Sequence, residues 1–253
     1  MPACDYSLVA DIYDGYVKTD LDVAFFREES KKAKGRVLEL MCGTGRLTLA
    51  LLAEGIPMTC VDSSPEMLVR LRQKLAYSGY DAEIVEQDVT CLSLPGKYDL
   101  AIIPLNSYME ITTRAGQGAA LRSIHRHLLP GGRLIVTLHN PNVRLRRVDG
   151  LSHTIGRFPL DDGGATFTLT VTETYDAASA LVTGIQVFEA VDSRGRALWR
   201  RDVPIVFRLV ARQEFEDLAA SAGLRVDAVF GDYDRSAYDA EASPYIITHL
   251  QVC

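Results

Sequence analysis

The sequence predicts an α/β protein: an open parallel sheet with helices on both faces, and an antiparallel β-meander inserted late in the chain. Three observations carry this. Between residues 35 and 139, short apolar runs alternate with amphipathic stretches, the pattern of buried parallel strands joined by helices. From 166 to 210 the pattern changes to β-branched and aromatic runs, alternating in part and broken by turn residues, which reads as three antiparallel strands. A length of 253 residues with 47% hydrophobic and 24% charged residues suits one domain with a sizeable insertion and excludes disorder as the main state.

In chain order, the apolar runs at 37–41, 58–61, 82–85, 100–104 and 134–138 are the parallel strands. A helix at 47–53 follows a glycine turn. The next, 65–75, has Ser63 or Ser64 as its cap and Pro65 in its first turn, where a missing N–H costs nothing. A third, 114–129, is stopped by Pro130, Gly131 and Gly132. The meander is broken at 176–179 and 193–195; a helix follows at 212–222, ended by Gly223, and the last two strands are 224–230 and 245–252. A ligand site is expected outside the carboxyl ends of the parallel strands, at the switch point of strand order.

Charge narrows the partners. The formal net charge of −6 argues against a general grip on nucleic acid or on an anionic membrane. No apolar run reaches the roughly 18 residues of a membrane span, and the N-terminus has no basic stretch of the secretory kind. Cys4, Cys42, Cys60, Cys91 and Cys253 are scattered and form no C-x-x-C, which reads as a reduced, cytoplasmic protein without a cysteine zinc site. No His, Asp or Glu spacing suggests a dedicated metal.

The chemistry gathers at strand ends. Glu39 closes the first strand, and the turn Cys42-Gly43-Thr44-Gly45-Arg46 opens the following helix. Glycines there permit positive φ and let a ligand lie against bare backbone. Two features separate this turn from a dinucleotide fingerprint. The third glycine position is Thr48, and the carboxylate of Glu39 would repel a diphosphate while suiting a cationic ligand. Glu39 read alone is an exposed strand-end acid. Asp62 ends the second strand, placed to accept from ribose hydroxyls, to cap the helix after it, or both. Asp88 follows the third strand. Three acids without a basic cradle point to a nucleoside that carries no phosphate.

E-x-x-C-G-T-G from Glu39, V-D-x-S from Val61, Q-D-V from Gln87, Y-D-L from Tyr98 and L-L-P-G-G from Leu128 together resemble the class I S-adenosylmethionine-dependent methyltransferases, over most of the chain. The resemblance implies a Rossmann-like sheet with helices on both faces, S-adenosyl-L-methionine as cofactor and S-adenosyl-L-homocysteine as product. It implies that Glu39, Gly43, Thr44, Gly45 and Arg46 lie beside the methionine portion. Asp62, with Ser63, would hold the ribose hydroxyls; Asp88 and the Val89 backbone would reach the adenine. Leu105 would offer a carbonyl to the ammonium, and Met67 would pack on the adenine or simply in the core. Met41 departs from the family, which usually has Gly or Ala there.

Tyr6, Tyr13 and Tyr16 fall in a Y-x-x-x-A-x-x-Y-D pattern that forms a lid over the donor in many small-molecule methyltransferases, since sulfonium and amine groups favour aromatic faces. Packing of an amphipathic helix on the core is the other reading. The resemblance divides the chain into an N-terminal lid (1–34), a core (35–150 and 211–253) and an inserted β subdomain (151–210) that covers the substrate, pairs two subunits into a homodimer, or does both. Asn106 and Tyr108 follow the fourth strand, His139 and Asn140 the fifth. The loop is not the N-P-P-Y box of DNA amino-methyltransferases. The arrangement is similar to bacterial amino-sugar and lincosamide-type N-methyltransferases, with Tyr6, Tyr16, Asn106, Tyr108 and Asn140 toward a small-molecule acceptor and Tyr13, Tyr16, Asn106 and His139 near the reacting atoms.

An amine nucleophile needs only its lone pair, whereas a hydroxyl usually needs a base. N-methylation of a small amine is therefore the leading expectation. O-methylation with His139 as base is the alternative, and His139 as a hydrogen-bonded wall residue fits the first reading. A nicotinamide oxidoreductase and a non-catalytic S-adenosylmethionine sensor are the other classes to separate.

Overall fold

The computed structural model describes residues 4–160 and 164–253; the first three residues of the expected lid and residues 161–163 of the expected insertion lie outside the described residues. The chain lays down β1 (Val37–Leu40), β2 (Met58–Asp62), β3 (Glu83–Glu86), β4 (Tyr98–Ile103) and β5 (Leu128–His139). It then leaves for β6 (Ser152–Pro159), β7 (Thr166–Asp176), β8 (Leu181–Val191) and β9 (Ala197–Arg208), and returns with β10 (Leu224–Phe230) and β11 (Tyr245–Val252). The main sheet has seven strands in the order β10-β11-β5-β4-β1-β2-β3. Strands β1 to β5 pair in parallel, and β11 runs antiparallel between β5 and β10. Strand order reverses between β1 and β4, which opens the expected crevice at their carboxyl ends.

The helices are α1 (Tyr13–Tyr16), α2 (Val23–Ser30), α3 (Arg46–Leu52), α4 (Pro65–Ser78), α5 (Arg114–Arg126), α6 (Pro141–Arg144) and α7 (Arg212–Ser221). Local chemistry sets their ends. The Ser64 hydroxyl, not that of Ser63, accepts from the Met67 amide at the start of α4, and Gly79 ends that helix at φ 73°. All four residues of β1 are buried, as a strand covered on both faces requires. Apolar layers lie on the two faces of the main sheet, one around Leu121, Phe215 and Leu250 and the other around Phe26, Leu51 and Leu71. A third cluster joins Val9 and Ile12 of the N-terminal segment to Phe167, Phe188 and Val203 of the inserted sheet.

Two expectations change. The inserted sheet has four strands, in the order β6-β7-β8-β9, where the sequence predicts three. The extra strand, β6, is mostly exposed and slips register between Thr154 and Gly156, so an outer strand with so little to bury leaves no apolar alternation. The third predicted helix ends at Arg126 rather than 129, and Pro130, Gly131 and Gly132 lie in the irregular start of β5. Register shifts there between Tyr98 and Leu100, and a Cβ on Gly132 would meet the Leu129 carbonyl at 2.8 Å. Among the described residues no helix is long and apolar enough to cross a membrane.

Candidate active site

A cavity of about 900 Å³ sits outside the carboxyl ends of the parallel strands. Its floor is the turn after β1. Met41 and Gly43 both adopt φ 56° and Gly45 φ 81°. The two glycines do different jobs. A Cβ on Gly43 would have nothing within 4 Å, so the backbone lies bare to the cavity, whereas a Cβ on Gly45 would meet Leu71 Cδ1 at 2.3 Å. Gly45 therefore lets α3 and α4 approach and is not in the cavity wall. Met41 bears the left-handed strain of about 1–2 kcal/mol that a glycine there would avoid.

Glu39, Asp62 and Asp88 all line this one cavity. Glu39 is 1% exposed and its Oε2 accepts from the Thr48 hydroxyl at 2.6 Å; Oε1 accepts no hydrogen bond from the described residues. Burial pushes this carboxyl up to about 7. Thr48, at the third place of the glycine pattern, thus serves as a hydrogen-bond donor. The Asp62 carboxylate accepts from the Gly43 amide at 2.7 Å and the Ser64 amide at 2.9 Å. Burial raises its carboxyl, and these amides partly offset the rise. Asp88 is exposed and caps the turn after β3, accepting from the Thr90 amide at 2.7 Å. Ser63, Met67, Val89 and Leu105 complete the wall.

The N-terminal segment straps across the glycine turn. Arg46 donates to both oxygens of fully buried Asp22, at 2.7 and 2.6 Å, and to the Thr19 carbonyl. Its Nε is buried without a partner among the described residues. The Thr44 hydroxyl donates to Asp14 at 2.6 Å, and Lys74 salt-bridges the same carboxylate. Tyr13 lies edge-on to Tyr6 and Tyr16, with ring centroids 6.0 and 5.4 Å away. Asp14 and Asp22 carry no sequence signal of this role, because their partners lie 30 and 24 positions away.

A second chamber of about 280 Å³ continues from the first beneath the inserted sheet. The two share walls that include Tyr6, Tyr13, Leu105, Glu110, His139 and Gln186. Tyr16, Asn106 and Phe207 help enclose the rest, with the Arg144–Glu173 ion pair at 2.6 Å. Burial, helped by Arg144 and Arg147, pushes the His139 imidazole down to about 4, so it is neutral at pH 7. Leu105 and Asn106 hold successive left-handed conformations, φ 50° and 64°. Strain of that kind, in two non-glycine residues at a shared wall, is characteristic of functional loops. The Asn106 Oδ1 is buried without a partner among the described residues.

Two expected acceptor residues lie elsewhere. Tyr108 is fully buried against Phe215, centroids 5.3 Å apart, outside both chambers. Asn140 spends its amide on the Ala240 and Ser243 carbonyls, at 2.8 and 2.9 Å, fastening a loop. Conversely, Glu110 lines both chambers and accepts the Tyr6 phenol at 2.6 Å. The available signal was an acid in the loop after the fourth strand, the loop already expected to border the reacting atoms. Gln186 and the Arg144–Glu173 pair left no signal, since only the docking of the inserted sheet brings them in. No group of three or more His, Cys, Asp or Glu that would hold a metal occurs among the described residues.

Residues 37–132 match the model of a methyltransferase domain. The chain is similar to the cypemycin N-terminal methyltransferase of a Streptomyces species, 29% identical over 215 residues that cover 83% of this chain and 81% of that protein. Among solved structures it superposes on an S-adenosylmethionine-dependent methyltransferase from Clostridium acetobutylicum, with a TM-score of 0.79, 21% identity and 98% of both chains covered. It also superposes on the amino pentose methyltransferase CalS10 of Micromonospora echinaspora, with a TM-score of 0.73, 19% identity and 95% and 94% covered. These structures share the fold. The matched domain answers the nicotinamide alternative.

Proposed function

This chain is an S-adenosylmethionine-dependent methyltransferase, and we propose that it methylates an amine nitrogen of a small molecule of amino-sugar or natural-product type. The observation that carries the proposal is the continuity of the two chambers, with strand-end acids around the larger and tyrosines, Glu110 and a neutral His139 around the smaller.

The larger chamber fits S-adenosyl-L-methionine in chemistry. Its glycine turn leaves bare backbone at Gly43, and Glu39 keeps one oxygen for an ammonium. Each oxygen of Asp62 already takes one backbone amide and keeps a lone pair for a ribose hydroxyl. Asp88 and the Val89 backbone stand on the adenine side. Thr44, Ser63, Met67 and Leu105 would shape the rest, and the unpartnered Arg46 Nε suits the carboxylate. When bound, this cofactor supplies a methyl group on a sulfonium, a leaving group that needs no further activation.

The protein then has to hold the nucleophile in line and keep water out. Tyr6, Tyr13 and Tyr16 offer aromatic faces and phenol oxygens to cations, and the unpartnered Asn106 Oδ1 offers an acceptor to an N–H. A neutral His139 with a pKa near 4 is a weak base for a hydroxyl, which favours the amine over O-methylation. The same proposal takes residues 1–34 as the lid, 35–150 with 211–253 as the core, and 151–210 as the cover of the acceptor chamber. It adds a homodimer through the inserted sheet, where Ile155, Ile185 and Leu198 are exposed, and, from five free thiols, the cytoplasm as location.

The test incubates the protein with methyl-labelled donor and paired acceptors: aminodeoxy sugars and short-peptide α-amines beside their hydroxyl analogues. Label is expected on the amines alone. Label on the hydroxyl analogues, with the amines inert, would overturn the N-methyl reading. Light scattering at several concentrations checks the dimer.

A further inference from the structure

Glu110 is a half-buried acid that pairs with no cation among the described residues. It sits in the wall shared by the two chambers, at the end of a single 3₁₀ turn, Ser107–Glu110, that follows the strained Leu105–Asn106 step. Its Oε1 accepts the Tyr6 phenol at 2.6 Å, and its Oε2 accepts nothing from the described residues. The groups that face it are Cys4, Tyr6, Tyr13 and Tyr16 from the N-terminal segment and Asp62 from the core, with His139 across the shared wall. None of these carries a positive charge at pH 7. The nearby Arg144 is paired with Glu173. A carboxylate largely withdrawn from water and left without a cation is costly, so a bound ligand that brings an ammonium is favoured at this place.

We propose that Glu110, oriented by Tyr6, binds the acceptor as an ammonium ion and takes its proton before methyl transfer. This rests on the N-methyl reading and deepens it by assigning the acceptor class: a primary or secondary aliphatic amine that arrives protonated. Such amines have pKa values of about 8 to 10, so at pH 7 most molecules lack the lone pair that the reaction needs. Burial holds the Glu110 carboxyl up at about 7, which narrows the gap across which the proton must move. The balance is simple. The ammonium N–H breaks and its proton rests on Glu110 Oε2. The freed pair forms the N–C bond while the C–S bond breaks, and the bonding electrons return to sulfur. Glu110 then releases its proton to water. Tyr6 is a positioning residue: its phenol fixes the carboxylate and favours the ionised form.

The test uses the full chain saturated with S-adenosylhomocysteine and carboxyl-¹³C glutamate labelling, beside amine-acceptor turnover with the active donor. Glu110→Gln preserves an acceptor for Tyr6 and removes the charge. The resonance absent from Glu110→Gln is expected to titrate near 7 in the wild type. Glu110→Gln should bind S-adenosylhomocysteine as before and lose about a hundredfold in kcat/KM at pH 7. It should regain rate as the pH approaches the amine's own pKa, because solution then supplies the lone pair. Tyr6→Phe should lose only severalfold, with the acid limb moved to higher pH. A Glu110 resonance at the ordinary carboxylate position overturns the proposal even without turnover. So does Glu110→Gln at wild-type rate with an unchanged acid limb while amines are methylated. If hydroxyl analogues are the acceptors instead, the N-methyl reading itself fails, whichever way Glu110 titrates.

Discussion

Replacing Asp62 with alanine probes the donor site most directly. In the structure each of its carboxylate oxygens takes one backbone amide, Gly43 at 2.7 Å and Ser64 at 2.9 Å. Each therefore has one lone pair left for a ribose hydroxyl, and the loss is two charge-assisted hydrogen bonds. Such bonds are worth about 1.5–3 kcal/mol each when fully sheltered. Asp62 is half-buried at the cavity wall, and water fills the space that alanine leaves. The expected net loss is thus about 1–3 kcal/mol for the pair, or roughly 5- to 150-fold in Kd. Freeing the Gly43 and Ser64 amides should also cost about 1–2 kcal/mol of folding stability. Calorimetric titration with S-adenosylhomocysteine, beside a thermal melt to show that the variant is folded, reads both quantities. Asp62→Asn should recover little, because its amide nitrogen must face one of the two backbone donors. An unchanged Kd in folded Asp62→Ala would refute the reasoning and remove Asp62 from the site.

Two further outcomes follow from the same floor. Glu39 has its carboxyl pKa raised from 4.5 to about 7, so between those values the folded chain binds a proton that the unfolded chain has lost. Stability of the free protein from this group should therefore fall as pH rises from 4.5 to 7, and Glu39→Gln should lack that slope. Donor affinity should rise over the same interval in the wild type, as the ionised carboxylate meets the amino-acid ammonium, but not in Glu39→Gln; denaturant melts and calorimetry on both sides of the interval read the difference. The two glycines should separate. Gly43→Ala has open space around its Cβ and should cost about 1–2 kcal/mol of left-handed strain, with donor binding lost. Gly45→Ala drives a Cβ to 2.3 Å from Leu71 and should cost several kcal/mol, read as a much larger fall in melting temperature.

Much of this molecule was legible from one dimension. Parallel strands that are buried on both faces announce themselves as short apolar runs, and five such runs yield β1 to β5. Because parallel strands end on the same side of their sheet, acids that terminate successive runs are brought to one place. This is why Glu39, Asp62 and Asp88 meet in one cavity. The smaller chamber was less legible. Tyr108 and Glu110 stand two residues apart in one 3₁₀ turn, yet the first is buried against Phe215 and the second lines both chambers. The same holds for His139, which lines the chambers, and Asn140, which fastens a loop. At a single turn there is no repeat long enough to say which side faces inward.

What the sequence alone determined was therefore the α/β order, the sheet, and the row of strand-end acids around the larger chamber, since each follows from local periodicity and from the shared polarity of parallel strands. What only the tertiary structure decided was the smaller chamber and the N-terminal strap across the glycine turn. The Arg46–Asp22 clamp, the Tyr6–Glu110 bond and the cover of Gln186 and Phe207 join residues that are distant in the chain. Contacts of that kind depend on how the N-terminal segment and the inserted sheet dock on the core, and no local pattern of residues encodes that docking.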